Sequence, residues 1–317
     1  MTRSIERLAQ VWLAGFVVVA VALSYWQVVR APELVAREDN PRRVQAELRV
    51  QRGRLLDRTG AVLAVSVPAA VPGVRDAVRR HYPHPEAAHV TGYYSLRYGV
   101  GGSEALFDAQ LRGRQSALQQ LLHRPPVGDD VSLSLSLAAQ QAAVAALGGR
   151  RGAVVVLTAD GGAMRVMVSQ PAYDPNRLDD QWEALSADPG APLLNRATQG
   201  VYPVGDLARW IALTGLLTGG LTVPADVYGA PLETLMAPLS TLGYIATARQ
   251  LGLDVAVPFP LPASAGRMPD FGGRGTPRDL AATPLHLARF MAAVAGDGTL
   301  PVPRLRDEAE SAPSQRA

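Results

Sequence analysis

The chain has 317 residues, 48% hydrophobic and 19% charged, which allows two modest cores and excludes a mainly disordered protein. It contains no cysteine, which excludes disulfides and thiolate metal sites. All 31 basic residues are arginine, so no lysine is available as a general base, and a net charge of +3 is too small to point to nucleic acid. The first element is the uncharged run of 22 residues between Arg7 and Arg30. As a helix it rises about 33 Å, enough to cross a hydrocarbon core of roughly 30 Å. Tyr25 and Trp26 stand near one end, where amphipathic rings favour the interface. The competing reading is a signal peptide, but the apolar run is long for one and no small-x-small cleavage site follows Tyr25. Arg3 and Arg7 favour a cytoplasmic amino terminus, and Arg30 and Arg37 offset them.

Residues 31–48 are charged and read as extended, with Asn40-Pro41 discouraging helix. Two alternating apolar stretches within 49–66 flank Arg58-Thr59-Gly60, a hairpin signal. Residues 72–90 have helical spacing and run into the loop-like HYPHPEAAH. Helices are expected over 103–123, with an interruption at Gly113, and over 135–149, closed by a glycine pair. The β-branched runs of 152–171 straddle Asp160-Gly161-Gly162, which predicts a β-hairpin. From 205 the period becomes 3.6, with Leu207, Trp210, Ile211, Thr214 and Leu217 on one face. Further helices fit 232–252 and 284–296, and the last dozen residues are polar. The division expected is a cytoplasmic stub and anchor at 1–30, an α+β module at 31–147, a second α+β module at 148–305 and a disordered tail at 306–317.

Several of these stretches resemble class B penicillin-binding proteins, the single-span peptidoglycan transpeptidases. Asn40-Pro41-Arg42 and RGRLLDRTGAVLA at 52–64 are similar to the family's opening signatures. HVTGYYSLRYGVGGSEALFDAQLRG at 89–113 is similar to the end of the pedestal domain in one bacterial subgroup. Residues 152–185 resemble the hairpin that opens the transpeptidase domain, 192–206 the segment leading to the nucleophile, and 282–305 the helix before the last catalytic strand. The resemblance covers about three quarters of the chain. It implies a single transmembrane helix and an α+β pedestal, also called the dimerisation domain. A degenerate, C-terminally shortened, serine β-lactamase-like α+β transpeptidase domain would follow.

That chemistry needs a serine with a lysine three residues on, a serine-x-asparagine motif and a lysine-threonine-glycine strand. The resemblance sets Asp206 at the nucleophile position and Arg209 at the base position. A carboxylate has no hydroxyl proton to give up, and a guanidinium stays protonated. The residues themselves suggest that Asp206 caps a helix starting at Leu207 and pairs with Arg209. The second motif falls near Ala230-Pro231-Leu232 or, in another register, at Ser240-Thr241-Leu242; neither carries an asparagine. The third is expected to be absent, because the chain has no lysine.

His81, His84 and His89, with Glu86, offer a zinc-like composition, but the prolines and the spacing favour a solvent-facing loop. His123 ends a predicted helix, His286 reads as a packing residue, and Asp174, Asp179 and Asp180 as capping and loop residues. The arginine-dense 41–54 reads as a solvated strand pair, with contact to anionic lipid or wall polymer as the alternative. No cofactor or metal site is expected. The reading that follows is a membrane-anchored, non-catalytic wall-synthesis scaffold. Its expected partners are the membrane and polytopic glycan-polymerising proteins, with no nucleic acid. A residual penicillin-binding transpeptidase and a truncated relic are the alternatives.

Overall fold

In the computed structural model, residues 2–30, 41–114, 125–227, 229–270 and 276–307 are described, leaving Asn40, His123 and most of the expected tail outside them. Helix α1 (Thr2–Ser24) runs on into a π-helical turn at Tyr25–Val29, closed by the Arg30 amide on the Tyr25 carbonyl. The stretch Arg7–Val29 has mean hydropathy 2.0 and no part of it is buried, so its apolar side chains have no protein to cover them. Helix α2 (Pro41–Glu47) replaces the extended chain expected there. Pro41 stands at its first position, where no backbone N–H is needed and a fixed φ helps.

Strands β1 (Leu55–Leu56), β2 (Val62–Pro68), β3 (Val78–His81) and β6 (Val131–Ser132) form one sheet in the order β3-β2-β1-β6. The β1–β6 pair is parallel and the others antiparallel. The hairpin turn is organised by Asp57. Its Oδ1 accepts from the Thr59 amide and hydroxyl and the Ala61 amide, and its Oδ2 from the Leu137 amide. Burial alone would raise the Asp57 pKa; the bonds from Thr59, Leu137 and Ala61 outweigh it and hold the carboxyl below its usual range.

The helix expected over 72–90 is overturned. Val78–His81 pairs with Val65–Pro68, and Gly73 and Asp76 take positive φ ahead of it. Here strand pairing overrides helical spacing. Only Ala88–Thr91, helix α3, is α-helical in that stretch, after a 3-10 turn at Pro85–Ala87. The hairpin β4 (Tyr93–Ser95) and β5 (Gly99–Gly101) leads into α4 (Gly102–Leu106) and α5 (Asp108–Arg112), which stops at Gly113.

Helix α6 (Leu137–Leu147) is N-capped by Ser136 and closed by Gly148 in the left-handed region. It packs on the antiparallel hairpin of β7 (Gly152–Leu157) and β8 (Met164–Gln170). Gln140 is fully buried: its amide accepts from the Met167 N–H and donates to the Met167 carbonyl, as a neighbouring strand would. After α7 (Leu178–Ala187) come β9 (Tyr202–Pro203), α8 (Ala208–Thr218), α9 (Leu232–Gln250), β10 (Ala281–Ala282), paired with β9, and α10 (Pro284–Ala295).

One core joins Leu55, Leu63, Tyr82 and Val131 to Met164, Met167 and Leu285, so the first sheet and the hairpin share it. A second holds Ile211, Leu216, Leu235, Tyr244 and Phe290 between α8, α9 and α10. The buried face of α8 is Ala208, Ile211, Ala212, Gly215 and Leu216, a correction to the face expected. Leu217 is exposed because Gly215 brings α8 against Leu239 and Thr247 of α9, and that close approach sets the helix rotation.

Candidate functional site

The catalytic positions expected from the sequence lie where β9 meets α8. Gly205, at φ +55, opens a 3-10 turn over Gly205–Leu207 that continues into α8. Asp206 therefore stands inside the helical stretch rather than ahead of it, and it makes no capping hydrogen bond. Its carboxylate is 91% exposed, with Arg278 Nη2 3.7 Å away. The expected cap is corrected on that ground. The expected Asp206–Arg209 pair is corrected too: Arg209 Nη1 donates to the carbonyls of Val227, at 2.7 Å, and Ala230, at 2.5 Å. Arginine can span two carbonyls because its planar fork presents several donors at fixed angles.

Ala230 is thus joined to Arg209 through its backbone, while Leu232 is buried in the second core. Leu232 also lines a cavity of about 490 Å³ with Met236, Ser240, Thr241, Thr276 and Pro277. Ser240 marks a kink in α9, at φ 63 and ψ 162, just after Pro238, and its Oγ accepts from the Gly243 amide. As chemistry, the constellation offers an exposed carboxylate and a guanidinium spent on carbonyls, with no nucleophile–base pair among these residues.

The other singled-out residues have structural partners. His286 is buried, with Nδ1 2.8 Å from the Thr283 hydroxyl and Nε2 2.7 Å from the Val255 carbonyl. Asp174 caps the 3-10 turn at Pro175–Arg177, and Asp179 and Asp180 stand in the first turn of α7. The histidine loop is not wholly solvent-facing, a further correction: His81 and His84 are half-buried and His89 is buried. His89 is 8% exposed, stacked edge-on against Tyr173. Burial, with Arg196 adding repulsion, pushes its pKa down to about 4; the carbonyls of Pro171 and Pro192 oppose the shift only in part. His84 pairs with Glu86 at 3.4 Å, and no metal-holding group of His, Asp and Glu occurs among the described residues.

Sequence reasoning missed the strongest electrostatic feature. Arg52, read as part of a solvated strand pair, is buried: its guanidinium meets Glu104 at 3.0 Å and Asp108 at 2.6 Å. Glu104, wholly buried, also takes Arg80 at 2.6 Å. Burial would lower the Arg52 pKa, but Glu104 and Asp108 outweigh it and raise it. No local signal marks it: Glu104 follows Ser103 and precedes Ala105-Leu106-Phe107, and its partners Arg52 and Arg80 lie 52 and 24 positions back in the chain.

Comparison with known proteins bears on this framework directly. The family model for the penicillin binding protein A dimerisation domain matches residues 52–124, the segment that holds Arg52, Arg80, Glu104 and Asp108. The peptidoglycan D,D-transpeptidase PbpA of Mycolicibacterium smegmatis is 34% identical over 262 residues, 76% of this chain and 52% of that protein. The crystal structure of PBPA from Mycobacterium tuberculosis overlays with a TM-score of 0.68 at 28% identity, covering 80% of this chain and 72% of that one. The chain belongs to the class B penicillin-binding proteins. Such a penicillin-binding protein carries the expected pedestal and transpeptidase-like fold behind an apolar helix, and its homologues act in peptidoglycan synthesis. This penicillin-binding protein spans about half the length of the curated relatives it matches. A more distant fold neighbour, PBP2 of Helicobacter pylori, is solved in complex with MreC; at 18% identity and a TM-score of 0.64 that likeness is one of fold.

Proposed function

We propose that this chain is a non-catalytic penicillin-binding protein that serves wall synthesis as a membrane-anchored scaffold. Asp206 and Arg209 would stand at the nucleophile and base positions, and the second-motif positions would fall at Ala230 and Leu232. The observation that carries the reading is the use made of Arg209. Its guanidinium holds the Val227 and Ala230 carbonyls, a structural clamp where active relatives are expected to hold a proton acceptor. Removing one member of a nucleophile–base set costs several orders of magnitude in rate, and here both side chains are of the wrong chemistry.

In this reading 31–147 is the docking module, 148–305 the degenerate transpeptidase-like domain, and the bulk of the chain lies outside the cytoplasmic membrane. The partner class is the polytopic glycan-polymerising proteins, with which the intact buried framework around Glu104 would keep the pedestal in docking shape. The test is fluorescent-penicillin labelling of the full chain in detergent beside an active family member. No acylated band is expected. A band that heat denaturation abolishes would overturn the non-catalytic reading. A membrane pull-down that repeatedly recovers no wall-synthesis component would overturn the scaffold role.

A further inference from the structure

Helix α2 (Pro41–Glu47) is the first element of the pedestal after the apolar helix, with residues 31–40 between it and Arg30. Val44, Gln45 and Ala46 are exposed, so packing holds this stretch only weakly. A helix of seven residues does not persist alone, because helices shorter than about 12 residues are marginal in water. Glu47 ties it down. Its carboxylate accepts from the Tyr94 hydroxyl at 2.6 Å and pairs with Arg112. Burial pushes the Tyr94 phenol up to about 12, so it remains a donor at neutral pH. An acid at the C-terminal end of a helix opposes the helix dipole, and no basic residue in the last turn offsets it. Glu47 therefore works against its own helix, and its bonds to Tyr94 and Arg112 compensate. Just beyond, the Val78 amide donates to the Leu48 carbonyl at 2.8 Å and Val50 is buried, which fixes the chain to the pedestal.

We propose that α2 is a releasable strap, latched at Glu47 and hinged at Leu48, that sets how far the pedestal stands from the apolar helix. The latch is weak enough to open: the Arg112 side chain is 43% exposed, and ion pairs reached by solvent contribute little. The side chains of the Arg52–Glu104 pair are 1% and 0% exposed, so opening the strap leaves that framework in place. Seven residues rise about 10 Å as a helix and reach up to about 24 Å when extended. Release thus adds up to about 14 Å to the reach between the two parts. Glu47, Tyr94, Ser95 and Leu96 line two cavities in common, of about 250 and 470 Å³, so the departure of Glu47 opens both. The spacer role rests on the reading of Arg7–Val29 as a membrane anchor; the latch itself does not.

The chain has no cysteine, so Gln45→Cys and Val127→Cys can carry two spin labels, one on the strap and one on the pedestal. Both positions are exposed. Pulsed double-resonance distance measurement on the full chain in detergent is expected to give one narrow peak while Glu47 is intact. Glu47→Ala deletes the latch and raises helix propensity, so broadening in that variant reads detachment rather than loss of helix. The fraction outside the narrow peak is expected to rise at least fivefold, with the melting midpoint unchanged. Glu47→Gln keeps an acceptor for Tyr94 without the charge and is expected to fall between. A distribution already broad with Glu47 intact, or one unmoved by Glu47→Ala, would overturn the proposal. So would broadening accompanied by a lowered melting midpoint, which would mean that the pedestal itself loosens. Such a failure would leave the anchor reading untouched, because both labels lie outside the apolar helix.

Discussion

Glu104 is the residue on which most depends, because it is the shared anion of two buried guanidiniums. Glu104→Gln keeps the shape and removes the charge, leaving Arg80 without its carboxylate and Arg52 with Asp108 alone. The expected cost is about 3–5 kcal/mol, the range for breaking a buried pair from one side. Urea denaturation of the full chain checks it; an unchanged midpoint would show the cluster to be energetically idle. His89 yields a pH dependence. Its folded pKa of about 4 lies below the ordinary 6.5, so the unfolded chain takes up the proton first. Its contribution is therefore complete above about pH 6.5 and is lost as pH falls toward 4, about 3 kcal/mol in all. His89→Gln is expected to flatten the stability profile in that window. At this scale the sequence was only partly legible. The thiol-free, lysine-free chemistry is written in the composition. Which arginines are buried depends on where Glu104 and Asp108 come to lie, and that was not legible.

At the scale of elements, the hairpins and the long helices were legible because their signals are local. Asp57-Arg58-Thr59-Gly60 and Asp160-Gly161-Gly162 turn the chain whatever surrounds them, with Gly60, Gly161 and Gly162 at positive φ. The stretch 72–90 was not legible, because Val78–His81 is a strand only through its partner β2, which supplies the ladder. Gln140 makes a comparable point. On sequence it is one more polar residue in an alanine-rich helix; in the fold it completes the β8 ladder at Met167. Gln140→Leu retains helix propensity and volume but leaves that amide and carbonyl buried and unpaired. We expect a loss of about 1–3 kcal/mol, read as a lowered thermal midpoint, whereas a surface glutamine would cost nearly nothing.

For the whole molecule, the apolar stretch Arg7–Val29 stands clear of every other element, which makes it separable. Deleting residues 7–29 is expected to move the protein from the membrane pellet to the soluble fraction, with the melting transition of the remainder unchanged. Retention in the pellet would show that a second surface holds it there. The sequence by itself determined the long apolar helix, the hairpin turns, the family signatures and the absence of lysine chemistry, all properties of composition or of a few neighbouring residues. Only the tertiary structure decided which face α8 buries, where Arg209 spends its donors, that His89 sits away from water and that Arg52 and Arg80 share Glu104. Each of those is settled by groups 18 to 107 positions away in the chain, from Arg209 and Val227 to His89 and Arg196. Helical or alternating periodicity within a segment carries no record of such distant partners.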